Sequence, residues 1–238
     1  MTDKDKEIEA LTTLLELINQ MEKKVTVIKT TSYDQLEIIK NILSLHCIKG
    51  IDLDPTYSKG NFYKSGEIEQ PRIKSDLISK FDDVITSDAC KLDFIEDSSL
   101  NSIMFDPPFV GGHTKQQPTG IIGERFHGFP YIKDLWKWYD LCLIEFHKKL
   151  NDKGVLIFKC QDTVSSGKQW FSHIHIINKA ESLGFYTKDL FILNAKNRLI
   201  GHNHGNQKHA RKFHSYFIVF EKLPKGKINK QSSTIGGI

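Results

Sequence analysis

The stretch NSIMFDPPFVGG, at residues 101–112, predicts a β-strand that ends in an unusual way. Its apolar run leads into Asp106, two adjacent prolines and Phe109, and two glycines follow. Proline donates no backbone hydrogen bond, so it is excluded from the middle of a central strand. The segment is therefore either an ordinary strand that stops here, or a strand whose end is held rigid to fix Asp106 and Phe109 for chemistry.

Strand patterns lie on both sides of this segment. Together with the segment itself, they occupy residues 47–55, 71–77, 83–89, 102–108, 155–162, 187–193 and 213–223. Helical patterns cover 131–150 and 170–185, the sequence NDKG at 151–154 predicts a stop, and Ser32 and Gln35 have capping-box spacing at a helix start. This alternation indicates an α/β fold with a doubly wound, largely parallel sheet. No helical pattern separates the last two strands, so we expect a seven-stranded, Rossmann-like sheet whose last strand is antiparallel.

The chain divides into three parts by composition. Its 238 residues are 39% hydrophobic and 26% charged, which fits one globular domain with one core. We assign that domain to residues 25–223 and an amphipathic helix to residues 1–24, where apolar side chains recur at helical spacing. The polar segment 224–238 is predicted to be a flexible tail. The N-terminal helix permits contact with a second copy of the chain or with a partner subunit.

Composition argues against several classes of protein. No apolar run is long enough to cross a membrane, and the charged N-terminus lacks the apolar core of a secretion signal. We therefore expect a cytoplasmic protein that does not bind membranes. The cysteines are single and lack the CxxC spacing of zinc ribbons, which favours reduced, mostly buried thiols. They are Cys47, Cys90, Cys142 and Cys160.

Acidic residues end four predicted strands in succession. They are Asp52 and Asp54, Asp76, Asp88 and Asp106. One aspartate after a strand usually caps a helix or starts a turn. In open α/β sheets, however, ligands bind outside the carboxyl ends of the strands, so a row of acids there predicts a ligand rich in hydroxyl, amino or cationic donors. The loop DPTYSKGNF at 54–62 contains only Gly60, which argues against a phosphate-binding loop and leaves room for a cofactor without phosphates.

The Asp-Pro-Pro-Phe motif at 106–109 resembles the catalytic motif of the S-adenosylmethionine-dependent amino-methyltransferases. These enzymes modify exocyclic amines of bases in DNA or RNA, and the Asp-Pro-Pro-aromatic form is typical of adenine-N6 enzymes. The segments DPTYSKGNFYK at 54–64 and KNRLIGHNHGNQKHARKFHSYF at 196–217 are similar to small bacterial and phage DNA methyltransferases. The resemblance covers about residues 25–222 and implies a Rossmann-like methyltransferase sheet, S-adenosyl-L-methionine as cofactor and no metal.

The resemblance also implies which residues bind the cofactor. The loop after the first strand would contribute Asp54, Thr56, Ser58 and Gly60. Asp76 would bind the cofactor ribose, and Asp88 with Ala89 would lie against its adenine. The family usually has two closely spaced glycines in this loop, whereas this chain has Ser58-Lys59-Gly60. That departure leaves open a non-catalytic nucleic-acid-binding subunit that keeps the fold and has lost cofactor binding.

The chemistry of an exocyclic amine explains why such a motif suits methyl transfer. The amine is a poor nucleophile, and two acceptors on its hydrogens stabilise the positive charge that develops on attack. The Asp106 carboxylate and the Pro107 carbonyl are the predicted acceptors. Pro107 and Pro108 fix φ, which keeps that carbonyl aimed, and Phe109 is predicted to stack on the base.

Basic residues predict where nucleic acid binds. Residues 196–214 contain lysine, arginine and histidine but no acid, and the long polar loop at 113–128 is predicted to be a lid or substrate loop. The candidate nucleic-acid contacts are Lys115, Arg125, Lys196, Arg198, His202, His204, Lys208, Arg211 and Lys212. The histidines do not form a standard metal-ligand set, so a metal site is less well supported than nucleic acid. Lys159 and Gln161, at the end of the fifth strand, either approach the substrate or simply end that strand.

The sequence therefore predicts methyl transfer to an exocyclic base amine, with N6 of adenine in DNA favoured over RNA. The alternatives are an RNA base methyltransferase acting on tRNA or rRNA, and the non-catalytic subunit.

Overall fold

The computed structural model describes residues 12, 27–47, 49–79, 81–109, 129–196 and 208–224. Most of the predicted N-terminal helix, the loop at 113–128 and the tail after Pro224 lie outside these residues. The predicted division into a helix, a domain and a tail therefore remains a prediction.

Ten strands and three helices occur among the described residues outside position 12. The strands are β1 Thr31–Ser32, β2 Leu53–Asp54, β3 Ile73–Asp76, β4 Ile85–Thr86, β5 Leu100–Phe105, β6 Leu150–Cys160, β7 Thr163–Ser165, β8 Lys168–Trp170, β9 Phe185–Asn194 and β10 His214–Lys222. The helices are α1 Gln35–His46, α2 Ile132–Lys149 and α3 Ser172–Ser182.

Eight of these strands form one sheet, in the order β1-β9-β10-β6-β5-β2-β3-β4. Neighbouring strands are parallel except for β10, which is antiparallel to both β6 and β9. This confirms the predicted mixed α/β fold with an antiparallel last strand. The sheet has one strand more than predicted, because the two residues of β1 pair with Ile192 and Leu193 of β9. A strand of two residues has no alternation for a sequence pattern to reveal.

Three local predictions were wrong in detail. The predicted stop at 151–154 lies inside β6, where Lys153 adopts a φ of 65° and the pairing with β5 shifts register. Between β2 and β5, the described residues form turns, whereas helices were expected between most of the first six strands. Helix α1 begins after Asp34, whose side chain accepts the Leu36 N–H at 2.8 Å, and not at the predicted cap two residues earlier.

Apolar side chains pack on both faces of the sheet. Helices α2 and α3 cover one face, where Phe105 contacts Phe146 and Phe158 at ring-centroid distances of 4.8 and 4.9 Å. Helix α1 covers the other face through Ile38, Ile39 and Ile42, which are fully buried. Burial on both faces explains why β5 and the second half of β6 are nearly continuous apolar runs. It also leaves the carboxyl ends of the strands as the edge where polar side chains collect.

Candidate active site

The candidate site lies where the strand order reverses. From β2 the sheet extends through β3 to β4 on one side, and from β5 through β6 on the other. In an open α/β sheet the crevice at such a reversal, beyond the carboxyl ends of the strands, is where ligands bind. Asp54 ends β2 and Asp106 follows β5, so both flank this crevice.

Thr56 joins these two strand ends. Its hydroxyl accepts the backbone N–H of Asp106 at 2.8 Å and contacts a carboxylate oxygen of Asp54 at 3.3 Å. The same Asp54 oxygen accepts the Thr56 N–H at 2.9 Å, and the other accepts the Tyr63 hydroxyl at 2.8 Å. The structure thus brings the strand-end acids Asp54 and Asp106 to neighbouring positions, as predicted, and Thr56 connects them.

Asp54 is buried, with only 1% of its surface exposed. Burial raises the pKa of Asp54 to about 7, and the Asp106 charge adds to the rise, whereas the hydrogen bonds from Thr56 and Tyr63 oppose it. Both carboxylate oxygens have protein partners. Asp54 therefore holds the loop that follows β2 in place.

The loop after β2 is fastened to the end of β3. The Asp76 carboxylate accepts the Ser58 N–H at 2.8 Å and the Ile78 N–H at 3.1 Å. Ser58 and Gly60 both adopt positive φ, at 51° and 62°. A Cβ on Gly60 would lie 2.7 Å from Cζ of Tyr57, so the tyrosine ring occupies the space beside this glycine. The loop is therefore a tight turn packed around an aromatic ring.

Two exposed apolar side chains beside Asp76 had no sequence signal. Leu77 and Ile78 are 54% and 47% exposed, directly after the acid predicted to bind a ribose. Asp88 accepts the Cys90 N–H at 3.1 Å and the Trp138 indole N–H at 2.9 Å, which ties the segment after β4 to α2. Ala89, beside it, is buried.

One strand-end acid lies elsewhere. Asp52 accepts the backbone N–H of Asn101 at 2.6 Å and contacts the Arg72 side chain at 3.2 Å. Both partners lie next to the starting ends of β5 and β3, so Asp52 stabilises the opposite edge of the sheet.

The segment after β5 is held at both ends. The Asp106 N–H bonds to Thr56, and the Pro108 carbonyl accepts a hydrogen bond from the Tyr139 hydroxyl of α2. Burial raises the pKa of Tyr139, so the hydroxyl stays protonated and remains a donor. The Asp106 side chain is 27% exposed, and Phe109 is half-buried. The motif is thus fixed by contacts from two different elements.

Lys159, the tenth residue of β6, contacts Asp106 directly. Its Nζ lies 3.2 Å from Oδ2 of Asp106 and 2.9 Å from Oε1 of Gln35 at the start of α1. Three phenylalanine rings surround the ammonium, with centroids at 5.1 to 5.6 Å, close enough for cation–π attraction. They are Phe62, Phe109 and Phe217. Of the two roles open to Lys159 from sequence, the structure supports a place in the site.

An open pocket of about 530 Å³ lies beside this pair. Its lining comes from the ends of β6 and β9, the starts of α1 and β10, and the motif after β5. The lining includes Tyr33, Phe109, Lys159, Gln161, Lys196 and His214. Its volume falls in the range of small-molecule sites and accommodates a nucleoside-sized group.

A chain of polar contacts stands behind this pocket and had no sequence signal. Buried Asp162 lies 2.7 Å from Nδ1 of His173 and accepts the Tyr216 hydroxyl at 3.4 Å. That hydroxyl lies 2.8 Å from Nε2 of His214, which lines the pocket. Burial, followed by the Asp162 charge, raises the pKa of Tyr216 to about 12. These contacts join the end of β6 to the starts of α3 and β10.

The predicted nucleic-acid contacts are only partly described. Lys196 lines the pocket, Lys208 and Arg211 are exposed, and Lys212 is half-buried. The others lie outside the described residues: Lys115, Arg125, Arg198, His202 and His204.

In the part of the chain that the structure describes, no group of three or more histidine, cysteine or acidic side chains is arranged to hold a metal. No described helix is both long and apolar enough to cross a membrane. Burial raises the pKa of Cys47 to about 12 and that of Cys90 to about 11, so these thiols stay protonated.

Comparisons with known proteins identify the fold. No protein-family model matches the sequence, and no curated protein matches it either. Among solved structures, the 1,6-didemethyltoxoflavin-N1-methyltransferase of Burkholderia thailandensis, with bound 1,6-didemethyltoxoflavin and S-adenosylhomocysteine, gives a TM-score of 0.50 at 10% identity. The match covers 94% of this chain and 92% of that one. At such identity it establishes the fold alone, which is a Rossmann-like methyltransferase fold.

Two further solved structures are less similar. TrmN from Thermus thermophilus gives a TM-score of 0.47 at 14% identity and covers 81% of this chain. PvuII DNA methyltransferase, which is cytosine-N4-specific, gives 0.44 at 15% identity and covers 58% of this chain. The chain spans about half the length of these two proteins, 50% and 49% respectively.

Proposed function

We propose that the protein transfers a methyl group from S-adenosyl-L-methionine to an exocyclic base amine, with N6 of adenine in DNA as the favoured target. One observation carries the proposal. Asp106 lies at the strand reversal, where its N–H donates to the Thr56 hydroxyl and its carboxylate contacts Lys159, which lines an open pocket. A carboxylate fixed at this point of a methyltransferase fold can accept a hydrogen bond from a substrate amine.

The residues around β2, β3 and β4 suit the cofactor. When bound, S-adenosylmethionine supplies an electrophilic methyl group on a sulfonium. The turn containing Thr56, Ser58 and Gly60 would hold it after β2, and Asp76 would accept from ribose hydroxyls. Exposed Leu77 and Ile78 offer apolar surface to its adenine. Asp88 and Ala89 remain candidates for that same ring.

The residues after β5 suit the reacting amine. The Asp106 carboxylate and the Pro107 carbonyl each accept a hydrogen bond from one N–H of the amine. Both oxygens stabilise the positive charge that develops on the nitrogen. Two prolines and the Tyr139 hydrogen bond hold the backbone of this segment, so little reorganisation accompanies the reaction. Phe109 stacks on the base in the pocket.

Basic side chains favour a polynucleotide substrate. Lys196 lines the pocket, and Lys208, Arg211 and Lys212 precede β10 at the same edge of the sheet. Lysine and arginine there would contact phosphates on either side of the target nucleotide. DNA and RNA share this chemistry.

A small nitrogen heterocycle is the second candidate. The pocket of about 530 Å³ accommodates a free nucleoside without a polymer. The fold relative from Burkholderia thailandensis is named for methylating such a heterocycle.

Transfer of labelled methyl from S-adenosylmethionine to DNA, RNA and free nucleosides tests the proposal. We expect N6-methyladenine in DNA, and Asp106→Ala should lower kcat by about 10²–10³-fold, because a charge-stabilising contact is lost. The matched control is Asp93→Ala, which removes an exposed aspartate that pairs with Lys91 at 3.5 Å and should leave kcat unchanged.

Three outcomes would contradict parts of this proposal. Full activity in Asp106→Ala would show that the motif does not act on the substrate amine as proposed. Methylation of RNA or free nucleosides alone would replace the DNA substrate. No cofactor binding by calorimetry, with or without nucleic acid, would favour the non-catalytic subunit.

A further inference from the structure

Lys159 is a buried cation whose position next to Asp106 the proposed chemistry leaves unexplained. The residue is 9% exposed, and its ammonium is surrounded by three phenylalanine rings. Burying an ammonium is costly unless it is paired and hydrogen-bonded. A methyl transfer that develops positive charge on the substrate has no need of a second cation beside its carboxylate. The position of Lys159 therefore requires a different reason.

The hydrogen bonds of Lys159 indicate that reason. An ammonium has three N–H bonds. Within the described residues, Oδ2 of Asp106 and Oε1 of Gln35 accept two of them, at 3.2 and 2.9 Å. The side chain also lines the pocket that contains Phe109. One N–H is therefore left for a group that enters the pocket and stacks on Phe109.

Acceptor and donor thus lie side by side, with Lys159 in the pocket lining and Asp106 next to it. Asp106 accepts and Lys159 donates, with their polar atoms 3.2 Å apart. An aminated base presents the matching pair on one edge, an amine N–H next to a ring nitrogen with a lone pair. In adenine that nitrogen is N1 or N7, on either side of the N6 amine, and in cytosine it is N3. A keto base presents a carbonyl and an N–H in the reverse order, which would oppose both side chains.

We propose that Lys159 is a specificity-determining residue. It donates a hydrogen bond to a ring nitrogen of the base, and Asp106 accepts a hydrogen bond from the amine next to that nitrogen. The inference rests on the proposed function and adds the chemical class of the target, an N-heterocycle carrying an amidine-type edge. Gln35 and the three rings hold the ammonium in place, so that the pair is preorganised before the base arrives. Removing Lys159 weakens selection of the aminated base, whereas Arg in its place keeps a donor.

Base analogues test this role, because they remove the acceptor from the substrate while Lys159→Met removes the donor from the protein. The substrates are one oligonucleotide with adenine, 1-deazaadenine or 7-deazaadenine at the target, in which a ring nitrogen is replaced by C–H. In the wild type, one of the two analogues should lower kcat/KM by about 10- to 100-fold, the value of a hydrogen bond to a charged group. Lys159→Met should lower kcat/KM on adenine by about the same factor, and replacing adenine by that analogue should lower the kcat/KM of this variant no further.

Two variants separate this role from a structural one. Lys159→Arg should keep the discrimination between adenine and the sensitive analogue. Lys168→Met is the matched control, since Lys168 also lies over an aromatic ring, 5.2 Å from the Trp170 centroid, but belongs to the β7–β8 hairpin outside the pocket lining. This control should keep both the activity and the discrimination of the wild type. Cofactor affinity measured by calorimetry should be the same in all variants, which shows that they are folded.

The outcomes distinguish the two proposals. If the losses from Lys159→Met and from each analogue multiply, Lys159 does not contact the ring nitrogen and this inference is wrong, while methyl transfer stands. If the wild type treats both analogues like adenine, the inference is equally wrong. If cytosine proves to be the target, 3-deazacytosine takes the place of the adenine analogues. Absence of any transfer by the wild type overturns both the proposed function and the role of Lys159.

Discussion

The two halves of the sheet are built differently. On one side of β5, the strands β2, β3 and β4 have two, four and two residues. On the other side, β6, β10 and β9 have eleven, nine and ten residues and pair along most of their length. The short half would hold the cofactor and the long half lines the pocket, so the candidate site lies where two kinds of construction meet.

The difference shows what the aspartates contribute. In the short half they accept backbone N–H groups, as Asp54 does from Thr56, Asp76 from Ser58 and Asp88 from Cys90. In the long half, strand pairing holds the backbone, and the polar side chains at the end of β6 are left to line the pocket. Acids at strand ends therefore hold the loops where the strands are too short to do so.

The largest expected effect tests whether the long half is stabilised by packing. Phe158 of β6 is fully buried between Phe105 and Tyr139, at centroid distances of 4.9 and 5.2 Å. Phe158→Ala should lower the free energy of unfolding by about 3–5 kcal/mol, because it leaves a cavity in the core. Urea unfolding followed by circular dichroism measures this. Ile174→Ala, at a 47% exposed position, should change it by less than about 0.5 kcal/mol, and equal losses in both would refute the packing argument.

A smaller effect tests the turn of the short half. Gly60→Ala should cost about 2–3 kcal/mol, since alanine is strained at a φ of 62° and its Cβ would displace the Tyr57 ring. That ring is stacked on Tyr63, and its hydroxyl bonds to Gln70 at 2.7 Å.

Gly66→Ala is the matched control for this turn. Gly66 has a φ of 75° with no atom within 4 Å of its added Cβ, so its replacement carries only the backbone strain, about 1–2 kcal/mol. Thermal or urea unfolding gives the difference between the two variants. Equal losses would show that Tyr57 does not fill the turn, and in a Tyr57→Ala background the extra loss at Gly60 should shrink.

The last test probes the polar contacts of the short half through pH, and its effect within one pH unit is the smallest of the three. Because burial raises the pKa of Asp54 from its ordinary value of 3.8 to about 7, the folded protein binds more protons than the unfolded one between these pH values. Its contribution to stability therefore falls as pH rises through this window, by at most about 1.4 kcal/mol per pH unit.

Asp54→Asn removes that titration while keeping an acceptor for Thr56. The free energy of unfolding of the variant should rise relative to the wild type as pH increases from about 4 to 7, measured by urea unfolding at several pH values. A difference that stays constant with pH would show that Asp54 titrates normally and is not buried as described.

The sequence allowed the α/β class and the antiparallel last strand to be predicted, because β5, β6, β9 and β10 are long enough to show an apolar pattern. Short β1 and β4 carry too few residues to reveal their true bounds. The turn signal at 151–154 was misleading because β6 accommodates it as an irregularity at Lys153. The residues at 151–154 do produce a local irregularity, but pairing with the neighbouring strands keeps the segment within β6.

The sequence allowed prediction of only those parts of the candidate site that follow from the order of parallel strands. Asp54, Asp76 and Asp106 could be placed on one edge from strand order alone. The partner of Lys159 on α1, Gln35, is 124 positions away in sequence, and only the folded chain brings the two together. The contact of Tyr139 with Pro108 likewise depends on how α2 packs on the sheet.

The alternation of side chains along β6 limits which changes in chain length the strand tolerates. Successive residues at its end point to opposite faces, so Lys159 and Gln161 line the pocket while Cys160 lies in the core and Asp162 contacts His173. Inserting or deleting one residue between 155 and 158 would exchange the two sets and turn a thiol and an acid toward the pocket. We therefore expect single-residue insertions and deletions in that segment to be tolerated less well than apolar substitutions that keep the side-chain volume.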